Sequence, residues 1–441
     1  MAEAGSFFEQ LFFGHGSGPG PVATVIYGFI VVVALFMPFV GLLGAICIWA
    51  ERKIAGHMQN RPGPNRVGPF GILQSVADGL KCVSKEDLVP PEGDRALFRL
   101  SVYLAFAPVF VALVAIPFGP ELTFEPHLNS GLFLILAMLG VEVMGVILAG
   151  WSSNNKWSIY GAMREACQMV SYEIPLGLSL IIGVMAMGTL NLVQMGLEQG
   201  GGIHTWGIFK NPFIFLAFFI YFVASLASNK RAPFDLPESE SELVAGYLTE
   251  FSGMRWAFFF FAEYTAMFVV GGIQTAMFLG GWNDPFGLIG YYHHVFAADP
   301  QSHVVGMIVL NLIGAGIFVA KASAIIFVQM WLRWTLPRPR IDQVLYVCVK
   351  VLLPGACVLL LGAALWQLFV PSRGGVPWQD YNPLNWGALT SGGSAVAVMV
   401  QMALAAVGVG IFAAIVVWIA RAAIDAKSVM KRRAEPEAIT G

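Results

Sequence analysis

Apolar runs of about twenty residues alternate along this chain with short polar stretches that hold nearly all of its charge. A helix needs about 20 apolar residues to cross the hydrocarbon core of a bilayer. Read with that length, the chain has spans near 23–49, 100–118, 131–150, 174–190, 211–228, 255–281, 304–331, 344–369 and 395–420. The pattern predicts an all-α, polytopic membrane helix bundle of about nine transmembrane helices. The fourth span is the weakest, since Arg164 and Glu165 precede it and Glu173 sits at its start. It reads as a longer, tilted helix beginning near Ile159.

The polar stretches carry their own pattern. Phe70, Leu73, Val76, Ala77, Leu80 and Val83 recur at helical spacing against Gln74, Asp78, Lys81 and Lys85, which predicts an amphipathic helix over about 67–85. Such a helix lies in the membrane interface or packs against a soluble partner. Basic residues then set the orientation, because loops rich in Lys and Arg stay on the cytoplasmic side. Eight fall between Arg52 and Arg99 and five in the tail from Arg421 to Arg433, with Lys156, Arg164, Lys230, Arg231, Arg255, Arg333, Arg338 and Arg340 in the other inside loops. The alternate loops hold only Lys210 and Arg373. Nine spans with a periplasmic N-terminus put every basic loop and the C-terminus in the cytoplasm.

Composition agrees: 57% of the 441 residues are hydrophobic and 12% charged, against about 25% charge in soluble domains. A net charge of −2 points to no nucleic-acid partner. Residues 1–21 lack the basic start of a cleavable signal peptide. The five cysteines form no CxxC or Cys/His cluster, and no nucleotide-binding or HExxH motif occurs. His293 and His294, in an outside loop, read as solvated histidines, and no metal or catalytic residue is expected within this chain.

Carboxylates stand out instead. An acid at the centre of a span costs about 2.5–3.5 kcal/mol on insertion scales, so Glu142 in LGVEVMG and Glu263 in FAEYTAM require either a neighbouring helix as partner or a hydrated path. Glu173 is more ambiguous, because a helix end can place it at the interface. The inside loop 229–255 holds Asp235, Glu238, Glu240, Glu242 and Glu250 without an intervening base. Ser239 followed by Glu242 reads as a capping box that starts a short helix. That explains Glu242 well and Glu240 in part. Carboxylates held close together share protons, the chemistry of a proton relay. Glu51 and the bases Arg52 and Lys53 close the first span, and Arg231 sits just ahead of a proline in RAPFDLP, in extended backbone that can line a cavity mouth.

Taken together, ERKIAGHMQNRPGPNRVGPFGILQSVADGLK, KED before Pro90, YEIPLGL, NKRAPFDLPESESELVAGYLTE, AEY at 262–264 and RWTLPRPRIDQ resemble the family of the membrane-embedded H subunit of proton-pumping NADH:quinone oxidoreductase, respiratory complex I. The resemblance implies a bacterial inner-membrane subunit docked against hydrophilic-arm iron–sulfur and quinone-site subunits and beside small and antiporter-like membrane subunits. It implies quinone as substrate, with FMN and iron–sulfur clusters in partner subunits. By motif, Glu51, Arg52, Asp78, Arg231 and Phe234 would lie along the quinone path. Glu142, Glu173, Asp235, Glu238, Glu240, Glu242 and Glu263 would relay charge toward the membrane arm. The nearest rival is the homologous subunit of a membrane-bound hydrogenase or formate hydrogenlyase; GPNRVGP and ELVAGY favour the quinone enzyme. A stand-alone ion-coupled transporter predicts an internal repeat, and the sequence has no convincing one. One departure concerns residues 371–441, since the family usually ends after eight spans. Residues 1–370 form the family-like core, and the extension adds a ninth span and a basic tail.

Overall fold

The computed structural model describes residues 36–124, 128–298 and 304–369, with scattered positions between 399 and 421. The described residues fold into helices joined by short turns, and no strand occurs among them. The first helix, α1 (Met37–Met58), carries Glu51, Arg52 and Lys53 in its last two turns. A tight turn at Pro69–Gly71 leads into α2 (Gln74–Val83). The expected amphipathic helix is therefore shorter than 67–85, because Phe70 takes a left-handed backbone (φ 56°) that an α-helix cannot continue through. The apolar face of α2, with Val76, Leu80 and Val83, is exposed.

Then come α3 (Arg95–Val114), α4 (Gly131–Ser152) and α5 (Lys156–Met187). Each start has a physical cause where a cap is present. Asp94 accepts from the backbone N–H groups of Ala96 and Leu97, and Asn155 from that of Trp157, satisfying donors that a helix start leaves free. At the far end of α5, Gly188 turns left-handed (φ 71°) and its N–H bonds back to the Val184 carbonyl, a conformation glycine adopts without penalty. The fourth span is thus a long helix starting before Ile159, as the sequence implies. It also moves Glu173: the residue lies in the middle of α5 and exposed, not at a helix start.

Short helices α6 (Leu192–Glu198) and α7 (Gly207–Lys210) precede α8 (Pro212–Ser228), which opens with an Asn211 cap and Pro212 at the first position. After the one-turn α9 (Glu240–Leu243) come α10 (Gly253–Phe278), α11 (Leu288–Ala298) and α12 (Val304–Thr335). The described chain closes with α13 (Ile341–Tyr346), a π turn at Val347–Leu352 and α14 (Leu353–Phe369). Six of these helical stretches are long and apolar enough to cross a membrane, and α8 is a shorter apolar helix. Seven of the nine expected spans correspond to helices α3, α4, α5, α8, α10, α12 and α13–α14. Residues 23–35 of the first span and most of the ninth lie outside the described residues, as does the extension's tail.

The core sits around α10, whose apolar window is 72% buried against 22–50% in the other spans. Aromatic rings fill it: Phe118 meets Phe318 edge-on at 5.4 Å and stacks with Phe268 at 6.1 Å. Small residues let backbones approach, with Gly145 of α4 against the Leu104–Ala105 backbone of α3. His293 is buried on α11 rather than solvated in a loop, because the segment after Gly287 is helical and turns that side inward.

Candidate functional site

The turn after α8 gathers the charge. Asn229, Lys230 and Arg231 are all buried, though two of them carry full cations. Buried charge is tolerated only with opposite charge and hydrogen bonds around it. Those partners come from separate helices. Arg231 Nη1 donates to both oxygens of Glu51 on α1, at 2.9 and 3.2 Å. Its Nε lies 2.8 Å from Glu263 of α10, and its guanidinium sits 4.2 Å above the ring of Tyr264, an arrangement favourable to a cation. Arg333 of α12 forms a second ion pair with Glu51. Lys230 turns the other way, to Glu142 of α4 at 3.1 Å, with Glu165 of α5 at 3.9 Å.

Two further elements hold this turn in place. Gln168 of α5 donates its side-chain amide to the carbonyls of Ala227 and Phe234, on either side of the cations. Asn229 donates to Gln329 of α12. Side chains from neighbouring helices thus join the turn's own backbone hydrogen bonds in fixing it.

Downstream, the acidic loop spreads its carboxylates over different partners. Arg338 reaches Asp235 at 3.1 Å and donates to the Ser239 hydroxyl at 2.6 Å. The expected capping box is therefore not formed by Ser239: its hydroxyl makes no cap bond to the backbone of α9, and α9 is a single turn. Tyr247 donates its hydroxyl proton to Glu238 at 2.8 Å, and Arg164 donates to exposed Glu242 at 2.6 Å. Asn155 reaches Glu250 at 2.5 Å. Burial pushes the Asp235 carboxyl up to about 6 against the pull of Arg338, and Glu263 adds to the push. Burial also raises Glu238, with Asp235 as the next cause. The hydrogen bond from Arg164 holds Glu242 below the usual carboxylate range. The side chain of Glu240 lies outside the described residues.

The residues singled out in the sequence thus fall into separate places. Glu51, Arg231, Glu142 and Glu263 meet around one turn. Arg52 pairs with Asp78 on a more exposed side of α1, where Gln74 also donates to Asp78. Phe234 packs in a neighbouring apolar cluster with Tyr172, Leu226 and Val344. Glu173 stays apart, on the outer side of α5 in a small crevice beside Gly140, Tyr172 and Ser228. Sequence reading missed Glu165, Lys230, Arg333 and Arg338 as members of the network, and Lys321 elsewhere. Glu165 carried a readable signal: it falls in phase with Gly161, Gln168 and Tyr172 on the buried stripe of α5. Among the described residues, no group of His, Cys, Asp and Glu is arranged to hold a metal.

A polytopic helical membrane protein with a charged network enclosed in its bundle is the class these features define. The chain belongs to the NADH dehydrogenase family, whose model matches residues 30–364. It is 45% identical over 347 residues to the H subunit of the NADH-quinone oxidoreductase of Chlorobium luteolum, covering 78% of this chain and 90% of that protein. The corresponding protein of Chlorobaculum tepidum is 45% identical over 345 residues, covering 77% and 93%. That of Anaeromyxobacter dehalogenans is 41% identical over 357 residues, covering 80% and 85%.

Proposed function

We propose that this chain is the membrane subunit of an NADH:quinone oxidoreductase that forms part of the quinone path and couples quinone reduction to proton translocation. In this reading it binds no NADH, flavin or iron–sulfur cluster and contributes no bond chemistry alone. FMN and the clusters belong to hydrophilic-arm subunits, and small and antiporter-like subunits continue the membrane arm. Glu51, Arg52, Asp78, Arg231 and Phe234 are assigned to the quinone side. Glu142, Glu173, Asp235, Glu238, Glu240, Glu242 and Glu263 are assigned to the relay. The basic loops face the cytoplasm of a bacterium and the N-terminus its periplasm.

One observation carries this reading: adjacent cations Lys230 and Arg231 face opposite ways, Arg231 toward Glu51 and Glu263 and Lys230 toward Glu142. A change of charge or proton demand beside Glu51 alters the field on Arg231. Arg231 can answer only by changing its share between Glu51 and Glu263. The same backbone turn carries Lys230, so Glu142 is affected without any group diffusing between them. Ion pairs shielded from water respond strongly to such changes, because they are screened little.

The test has two arms. Solubilised membranes should yield this chain together with flavin, iron–sulfur clusters and inhibitor-sensitive NADH:quinone activity; recovery of a lone, active transporter would overturn the assignment. In the assembled complex, Glu142→Gln should lower proton pumping by tenfold or more while electron transfer from NADH to an artificial acceptor persists. Unchanged pumping in that variant would remove the relay role.

A further inference from the structure

Two cations and two carboxylates balance on one side of the turn: Arg231 and Arg333 face Glu51 and Glu263. The other side does not balance. Lys230 is a single ammonium facing both Glu142 and Glu165. Glu165 is wholly buried, and neither of its oxygens receives a hydrogen bond from the described residues. The groups facing it are Lys230 from the turn, Glu142 from α4, Glu263 from α10, Tyr247 from the loop before α10 and Tyr172 from its own helix. Lys230 is the only cation among these, and its closer bond goes to Glu142. An ionised, unbonded carboxylate buried among other acids is costly by several kcal/mol, and a neutral one far less so.

From this geometry we infer that Glu165 holds a stored proton, and that Lys230 is a two-position ammonium that exchanges it with Glu142. With Lys230 on Glu142, Glu142 is ionised and Glu165 carries the proton. When the ammonium moves across to Glu165, it takes that proton as it gives one of its own to Glu142. One O–H bond breaks at Glu165 and one forms at Glu142; Lys230 stays an ammonium and the net charge of the trio is unchanged. The move is short, since the same nitrogen already lies 3.1 Å from one acid and 3.9 Å from the other. Lysine suits the task because its ammonium is a compact charge on a flexible stem, unlike a planar guanidinium. Glu165 is thus a positioning and proton-holding residue within the proposed relay, and the inference rests on that reading.

Infrared spectra of the resting, assembled complex in H2O and D2O test it without turnover. Wild type minus Glu165→Gln should contain one protonated-carboxyl stretch, shifted in D2O, and no carboxylate stretch. A difference made of carboxylate stretches alone would overturn the assignment. Glu142→Gln gives the sharper result. Although it replaces an ionised residue, it should abolish the same protonated-carboxyl stretch, because Lys230 then settles on Glu165. Persistence of that stretch would show that Lys230 does not move between the two acids. If Glu165→Gln blocks assembly, Glu165→Asp should shift the stretch instead, and an unshifted stretch would refute the proposal. Pumping assays on Glu142→Gln address the relay separately, so either idea can fail alone.

Discussion

Arg231 Nε lies 2.8 Å from Glu263 Oε1 while the same guanidinium bonds Glu51 and covers the ring of Tyr264. One side chain therefore ties α1 to α10 through a turn that belongs to neither. Removing one partner of a buried ion pair costs about 3–5 kcal/mol, because the other charge is left unpaired. Arg231→Met should reduce the yield of assembled complex on native gels to a small fraction of wild type. Adding Glu263→Gln to that variant should recover part of the yield, since the stranded carboxylate is then gone while Arg333 still pairs with Glu51. No recovery would mean that Arg231 acts through packing alone.

The pair Arg164–Glu242 offers the opposite case. Glu242 is half exposed, and such pairs contribute about 0–1 kcal/mol. Glu242→Gln should leave thermal stability of the complex within a degree or two, by about that magnitude. A large drop in a melting scan would show that another subunit covers this pair.

Asp235 gives a pH dependence with a definite sign. Its carboxyl is raised from 3.8 to about 6 in the folded chain, so the folded state holds the proton more tightly than the unfolded one. The stabilisation from the neutral form is complete below pH 3.8 and is lost as pH rises through about 6. Asp235→Asn should flatten this part of the profile, measured as melting temperature against pH. A slope unchanged by the substitution would assign the effect elsewhere.

Gly246 tests the loop's backbone. Its φ is 54°, and a Cβ there would run into the Pro237 carbonyl oxygen. A left-handed non-glycine residue costs about 1–2 kcal/mol before any clash. Gly246→Ala should loosen the segment from Pro237 to Phe251, seen as several-fold faster proteolysis there than in the wild type. Equal rates would show that the turn can rearrange freely.

Much of this architecture is legible in the sequence because hydropathy reports length directly. Seven expected spans coincide with helical stretches of the described residues, and Glu142 and Glu263 announce themselves by their cost. What stayed hidden depends on pairing across helices. Lys230 looked like one charge in a basic loop, and nothing local says that it turns inward. Glu165 stood beside Arg164 and seemed to mark a boundary, although its phase on α5 placed it inside. Glu173 is the reverse: mid-helix and acidic, yet on the outer side. Ser239 had the sequence of a cap, but Arg338, 99 positions away along the chain, takes its hydroxyl.

At the far end of α10, Lys321 of α12 donates to the carbonyls of Leu279, Gly281 and Asn283, at 2.7, 3.1 and 2.6 Å, and lies 4.0 Å over the Trp206 ring. This places a positive charge where a helix presents its negative end. The opposite half of α10 holds Glu263. The helix is thereby tied by charge at two places, to Arg231 through Glu263 and to Lys321 beyond its last turn, each reaching in from a different part of the chain.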